Sequence, residues 1–249
     1  MSAIEVTDHR TRTVRFRWVS ITGSLIAAAL FLGSAVLQVM ASLQRWVVFR
    51  GSRTDDELSV EDHVFDYSLP WPPWEPIGTA AELFGAGTLL LALGVLVMPL
   101  SVSVVARTAA RRGVAVGVGI VLAILVAGSF GIFGVHALIS GLAGAPSPLR
   151  HFWALGWVGL IGLIGLSVLW GRISRAAPAI ACVFLIGSTW PLGWIGATYV
   201  IAPIIGGSSH DTAPWSETVF AASPAAAGVA MIVAAWMAAR RRATETFSL

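Results

Sequence analysis

Six long apolar runs divide this chain, and none of them carries Asp, Arg or Lys near its middle. They cover residues 19–42, 79–105, 114–139, 152–170, 178–201 and 218–239. The hydrocarbon core of a bilayer requires about 20 apolar residues in helical form, and a helix satisfies every backbone amide within its own segment. The runs also lack the alternation that is typical of outer-membrane barrel strands. The sequence therefore predicts an all-α polytopic membrane protein whose six transmembrane helices form one domain over residues 1–249.

Charge content supports this class. Only 12% of the 249 residues are charged, against about 25% in an average soluble domain, so a soluble globular protein is excluded. The 16 basic residues are all arginine and are spread over short segments between apolar runs, which does not make the single basic face of a nucleic-acid-binding protein. We expect the lipid bilayer to be the partner of this chain, and we expect no binding of nucleic acid.

The arginines also predict an orientation. If the N-terminus lies inside, twelve arginines fall in inner segments and four in outer segments: Arg45, Arg50, Arg53 and Arg150. Because inner loops of membrane proteins are enriched in basic residues, both termini are predicted to be cytoplasmic. The first apolar run is longer than the apolar core of a cleavable signal peptide, so we expect it to remain as a helix. The abundance of Ala and Gly is typical of a GC-rich bacterium, and the cytoplasmic (inner) membrane is the expected location.

Small residues recur along the third and fourth predicted helices. The third has a small residue at every fourth position, and the fourth has glycine at every third: Ala115, Gly119, Ala123, Ala127 and Gly131; Gly156, Gly159, Gly162 and Gly165. Helices in lipid associate through close packing of such residues. The ridge on the third helix fits packing within the bundle and also docking of other membrane subunits, and both interpretations remain open.

Two local signals concern helix ends and breaks. Thr79 and Glu82 have the spacing of a capping box, which would begin the second helix and account for the acidic residue. Pro191 lies inside the fifth run and predicts a kink there, because proline cannot donate the backbone hydrogen bond to Gly187. The residues around this kink are candidates for a hinge or a cavity wall: Thr189, Trp190, Pro191 and Trp194.

No catalytic constellation is found. The chain lacks a G-x-S-x-G nucleophile loop, an H-E-x-x-H zinc motif and, having no lysine, a phosphate-binding loop. The five histidines lie in tails, loops or helix ends, so haem between helices has no paired ligands. We expect no enzyme, no cofactor and no metal site, and no carboxylate buried in the bundle. Gln38 and His136 are expected to form hydrogen bonds between elements.

The distinctive polar segment is the loop over residues 47–78. It is acidic, with one histidine, and ends in a proline-rich stretch with two tryptophans: Asp55, Asp56, Glu57, Asp62, His63, Asp66, Trp71 and Trp74. The prolines favour an extended path, which would place both indole rings on one side. In one interpretation the rings rest among lipid headgroups. In the other, rings and acids form a docking patch for a partner.

Two functions fit these features. The first is a non-enzymatic accessory or assembly subunit of a membrane complex, favoured by the packing surfaces and the loop. The alternative is a transporter or permease component for a small neutral or apolar substrate, favoured by the six helices and the Pro191 kink. A packed core would favour the first function, and a polar cavity between the helices would favour the second.

Overall fold

The computed structural model describes residues 3–49, 62–102, 109–173, 175–206 and 213–246, and over these ranges it contains helices and turns but no strand. The prediction of an all-helical fold is confirmed. The helices are α1 (Ala3–Leu43), α2 (Ala80–Val102), α3 (Ala109–Ala143), α4 (Leu155–Arg172), α5 (Ala176–Ile186), α6 (Ala202–Gly206) and α7 (Ser216–Thr246). Within the described ranges, five helices are long and apolar enough to cross a membrane, or six if the bent pair α5–α6 counts as one.

Hydrogen bonds at the two ends of the bundle show that α1 and α7 are antiparallel. At one end, Arg17 donates from Nε and Nη2 to the carbonyl oxygens of Ala238 (3.0 Å) and Ala239 (2.5 Å). At the other, Trp46 Nε1 donates to Glu217 Oε2 (2.8 Å). We refer to these as the Arg17 end and the Arg45 end. The N-terminal part of the α1 span and the C-terminal part of the α7 span therefore meet at one end.

The helix that begins with α5 is interrupted before the chain reaches α7. Helix α5 stops at Ile186, Thr189 is extended (φ −81°, ψ 139°), and Pro191 lies in the first turn of a π-helical segment, Trp190–Trp194. A second π-helical segment, Ala197–Ile201, leads into α6, and the two halves are bent by 62°.

The prediction of one continuous, kinked helix over residues 178–201 is therefore wrong. A proline inside a helix removes one backbone hydrogen bond and collides with the carbonyl group four residues earlier, whereas a proline in the first turn loses no hydrogen bond. The chain accordingly ends one helix and begins another at Pro191.

The broken segment runs from α4 to the start of α7. It starts beside the end of α4, where Ser167 Oγ donates to the carbonyl oxygen of Ala179 (3.2 Å). It ends at Gly206, which packs against Pro214, just before α7 begins at the Arg45 end. Counted as one, this bent pair is the sixth span in the described residues that is apolar enough to cross a membrane.

The glycine face of α4 packs on α3. A Cβ added at Gly162 would lie 2.5 Å from Val126 Cγ2, and one added at Gly159 would lie 2.7 Å from Ser129 Oγ, so the two helices approach closely. In the ridge on α3, Gly119, Ala123 and Ala127 are buried, whereas Ala115 and Gly131 are half-buried. Both glycine-rich patterns thus contribute to contacts inside this chain.

Candidate functional site

A cavity opens between the helices near the Arg45 end. Its cavity volume is about 40 Å³, which is room for a few water-sized groups, and part of the space is continuous with the exterior. Residues from α1, α2, α3, α7 and both π-helical segments line it, and six of the fifteen lining residues are aromatic: Phe84, Phe130, Phe133, Trp190, Trp194 and Phe220. The Trp190 and Trp194 rings are nearly parallel, with an interplanar angle of 13° and centroids 6.1 Å apart. A largely apolar wall with a few polar groups is the usual make-up of a small-molecule site.

Three polar atoms on this wall have no hydrogen-bond partner among the described residues. They are Gln38 Oε1, Ser188 Oγ and Thr198 Oγ1, and each belongs to a residue that is at most 4% exposed. Buried polar atoms are normally paired, since an unmet one costs about 1–3 kcal/mol. Three of them border one cavity, where ordered water or a bound molecule can supply the missing partners.

A buried ionic cluster adjoins the cavity. The Arg45 side chain is fully buried and donates from Nη1 to Asp66 Oδ1 (2.5 Å) and to Glu217 Oε1 (2.6 Å). Its Nη2 donates to the carbonyl oxygen of Asp62 (3.0 Å). Glu217 Oε2 accepts from Trp46 Nε1 (2.8 Å) and from Ser216 Oγ (3.2 Å), and Glu217 lines the cavity.

The expectation that no carboxylate is buried in the bundle is therefore wrong. Two helices extend beyond the predicted spans: α1 continues as a π-helical turn over Gln44–Val48, and α7 begins at Ser216. Each carries one charged residue into the bundle, Arg45 and Glu217, and charges of opposite sign tolerate burial when they are paired. In the sequence, each of these residues is a single charge beside an apolar run, and Arg45 also precedes a tryptophan. No sequence pattern indicates that these two residues, 172 positions apart, form an ion pair.

Residues 62–78, here termed the cap segment, lie across the Arg45 end. Phe65, Tyr67 and Trp74 are buried against Ala41 and Phe84. Tyr67 is completely buried, and this desolvation, together with the nearby Glu217 carboxylate, raises the pKa of its hydroxyl well above the ordinary value. The cap segment is thus packed into the bundle as part of its core.

The two tryptophan side chains of the cap segment differ in how far they are exposed. Trp74 is 8% exposed, whereas Trp71 is 46% exposed and lies beside Arg150 and His151. The prediction that both rings lie on one side is wrong, because the chain turns Trp74 inward to cover apolar core. Of the two proposed docking anchors, only Trp71 presents its ring to the exterior.

His136 joins the cap segment to α3. Its Nδ1 lies 2.7 Å from Ser147 Oγ, and its Nε2 lies 3.2 Å from the carbonyl oxygen of Pro70. This agrees with the expected hydrogen bonding between elements. Gln38, by contrast, donates from Nε2 to Ser34 Oγ on its own helix (3.0 Å), which leaves its carbonyl oxygen to the cavity.

The acidic candidates of the loop have separate positions. Asp55, Asp56 and Glu57 lie outside the described residues. Asp62 accepts from the backbone N–H of Val64 and lies 3.1 Å from His63 Nδ1, while Asp66 pairs with Arg45. Over the described ranges, no three His, Cys, Asp or Glu side chains are close enough together to hold a metal ion.

The capping box at the start of α2 does not form. The backbone N–H of Thr79 donates to Gln44 Oε1 (2.8 Å), and Gln44 Nε2 donates to Thr79 Oγ1 (2.9 Å). Gln44 thus accepts the hydrogen bond from the Thr79 backbone N–H that was expected to go to Glu82. Glu82 instead packs against Gly141 of α3, where its Oε2 is buried without a hydrogen-bond partner among the described residues.

Of the four candidate residues around the break, two line the cavity and two make contacts that hold the break in place. Trp190 and Trp194 line the cavity. Thr189 donates from Oγ1 to the carbonyl oxygen of Ile186 (2.7 Å), and Pro191 packs against Gly156 of α4. The break therefore brings two aromatic rings to the cavity, and the Thr189 hydrogen bond and the Pro191 contact hold the break in place.

Comparison of this chain with protein-family models, with curated proteins and with solved structures finds no match.

Proposed function

We propose that this protein crosses a bacterial cytoplasmic membrane six times with both termini inside, and that it serves as a transporter or permease component. Its cavity, near the outer surface in this orientation, binds a small molecule with apolar parts and at least one hydrogen-bonding group. The arginine bias of the sequence supports the orientation, and the five apolar helices with the bent pair support the crossings.

The observation that carries the proposal is the aromatic cavity with three unpartnered polar atoms. A subunit whose only task is packing gains nothing from unmet polar groups in its interior. A binding site does gain, because the same groups orient a guest and discriminate against molecules that cannot pair with them.

The broken helix adds a second line of support. Broken membrane helices in transporters provide exposed backbone and a point of movement at the substrate site. Here the break contributes Ser188 and Trp190 to the cavity wall. The same helix pair can therefore contact the substrate and change shape around it.

The accessory-subunit role remains a second candidate, and one observation favours it. Gly113, Gly117, Gly128 and Gly131 on α3 have no atom of the described chain within 4 Å of an added Cβ. This leaves room for close approach of another helix.

Access to the cavity provides the test. In a Cys182→Ala background, which removes the only thiol, Ser188→Cys places a thiol on the cavity wall. We expect methyl methanethiosulfonate, a small uncharged reagent, to modify it in the purified full-length protein. Ser24→Cys is the matched control, because Ser24 is 1% exposed but lies outside the cavity. Reaction at position 188 should be at least about tenfold faster, since thiol reactivity follows access.

Equal, slow modification at the two positions would mean that the cavity does not admit small molecules. The binding proposal would then fail, and the accessory role would become the leading one.

A further inference from the structure

The volume of the cavity limits the size of a guest. The cavity measures about 40 Å³. One buried water needs about 10–15 Å³ of such volume, so the space holds about three waters. A molecule that takes their place is therefore restricted to about three non-hydrogen atoms.

The unpartnered polar atoms define the hydrogen bonds that a guest has to offer. Gln38 Oε1 can only accept, so its partner must carry an N–H or O–H group, whereas the hydroxyls of Ser188 and Thr198 can donate or accept. A fourth polar residue of the wall, Thr88, already donates from Oγ1 to the carbonyl oxygen of Phe84 (2.9 Å). A guest with a donor hydrogen and an acceptor oxygen thus satisfies what the wall leaves unmet.

The wall has no free opposite charge for an ion. Among the described residues that line the cavity, Glu217 is the only charged one. Both of its carboxylate oxygens already accept hydrogen bonds, Oε1 from Arg45 Nη1 and Oε2 from Trp46 Nε1 and Ser216 Oγ. An ion that entered this partly aromatic space would lose its water without gaining a partner of opposite charge, which is costly. The site therefore favours an uncharged guest.

We propose that the cavity binds an uncharged molecule of about three non-hydrogen atoms that carries an O–H or N–H group, such as a short alcohol or a small amide. This inference rests on the proposed binding function and specifies the size and the hydrogen bonding of its substrate. The O–H or N–H group donates to Gln38 Oε1, and the oxygen of the guest accepts from the hydroxyl of Ser188 or Thr198. Its carbon atoms contact the aromatic rings. A neutral substrate agrees with the expectation from sequence, and a purely apolar one does not.

The first test measures the size limit. Ser188→Cys, in the Cys182→Ala background, is treated with uncharged methyl, ethyl, propyl and butyl methanethiosulfonates, which leave an alkylthio group on the cysteine and release methanesulfinate. Each rate is divided by the rate of the same reagent with free 2-mercaptoethanol. We expect this ratio to fall by at least about tenfold from methyl to butyl, since thiol reactivity follows access. Longer chains also enter detergent more readily, which acts in the opposite direction.

The matched control is Glu75→Cys in the same background, because Glu75 is exposed and lies outside the cavity. Its ratios should not fall with chain length. If no reagent modifies position 188, the proposed binding function itself fails. If all four reagents modify it at the same ratio, the cavity admits guests but the size limit is overturned.

The second test measures the need for a donor hydrogen. Ethanol and acetonitrile have equal numbers of non-hydrogen atoms, but only ethanol carries a donor. Because ligands of this size bind with dissociation constants of about 1 mM at best, each is added to the purified protein at about 100 mM. A ligand that binds the folded state raises the melting temperature. We expect a higher melting temperature in ethanol than in acetonitrile.

Variants of the wall relate this difference to the cavity. Gln38→Met removes the acceptor and should abolish the difference, whereas Thr88→Val changes a wall residue whose hydroxyl is already bonded and should preserve it. If Gln38→Met does not fold, the double variant Ser188→Ala with Thr198→Val takes its place and should reduce the difference. Equal melting temperatures in the two additives would mean that the cavity holds ordered water only, and would overturn the inference. A difference that persists in Gln38→Met would place the guest elsewhere and would also overturn it.

Discussion

At the scale of single residues, Arg45 links more of the molecule than any motif found in the sequence. Its guanidinium joins the end of α1, the cap segment through Asp66 and the start of α7 through Glu217. Sequence reasoning placed it in a loop, because a lone arginine after an apolar run normally marks the membrane boundary. The proximity of Asp66 and Glu217 in three dimensions offsets the free-energy cost of burying it.

A double-mutant cycle tests this role. Arg45→Gln should destabilise the protein by about 3–5 kcal/mol, because it leaves the buried Glu217 charge uncompensated. The combined variant Arg45→Gln with Glu217→Gln should recover part of that loss, since it removes both charges. Arg150→Gln is the control: Arg150 is partly exposed and its bond to the Pro146 carbonyl oxygen is long (3.4 Å), so we expect a loss below about 1 kcal/mol. The measurement is chemical unfolding in detergent, and strictly additive effects of the two substitutions would contradict a direct pairing.

At the scale of elements, the broken helix shows where sequence reasoning succeeds and where it stops. Pro191 correctly indicated a disturbance within the fifth apolar run. No local pattern indicated that the chain would end α5 at Ile186, because that end depends on how closely two backbone segments can pack. At the break, Gly193 lies directly against Gly187: an added Cβ would be only 2.2 Å from the Gly187 carbonyl oxygen.

Two glycine substitutions in the same segment separate close packing from chain flexibility. Gly193→Ala should destabilise the protein by about 1–3 kcal/mol, because its Cβ collides with backbone that cannot rotate away. Gly196→Ala should be neutral or slightly stabilising, since no atom of the described chain lies within 4 Å of an added Cβ and alanine restricts the unfolded chain. Unfolding midpoints of the two variants provide the comparison. Equal midpoints would show that the backbones at the break are not in contact.

At the scale of the whole molecule, the fold class and the cavity differ in how far sequence could reach them. Long apolar runs determine helices locally, and so the all-helical bundle could be predicted. The cavity depends on side chains from six separate parts of the chain, among them Gln38, Phe84, Phe133, Ser188 and Glu217. Each of these residues is ordinary in its own helix, and only their convergence makes a site.

The orientation of the bundle in the membrane involves two separate predictions. One is that both termini lie on the same side, and the other is that this side is the cytoplasm. Because Arg17 bonds to the carbonyl oxygens of Ala238 and Ala239, the start of the α1 span and the end of the α7 span meet at one end of the bundle, and we expect both termini on the same side whichever way it is inserted. The arginine bias predicts that this side is cytoplasmic. A reporter fused after Arg242 should be active only in its cytoplasmic form. One inserted at Gly144, in the turn between α3 and α4, should be active only in its periplasmic form. Reversal of both results would overturn the orientation alone. A periplasmic C-terminus together with a periplasmic Gly144 would mean that the broken helix returns to the side it entered, and that the Arg17 contact with α7 does not exist.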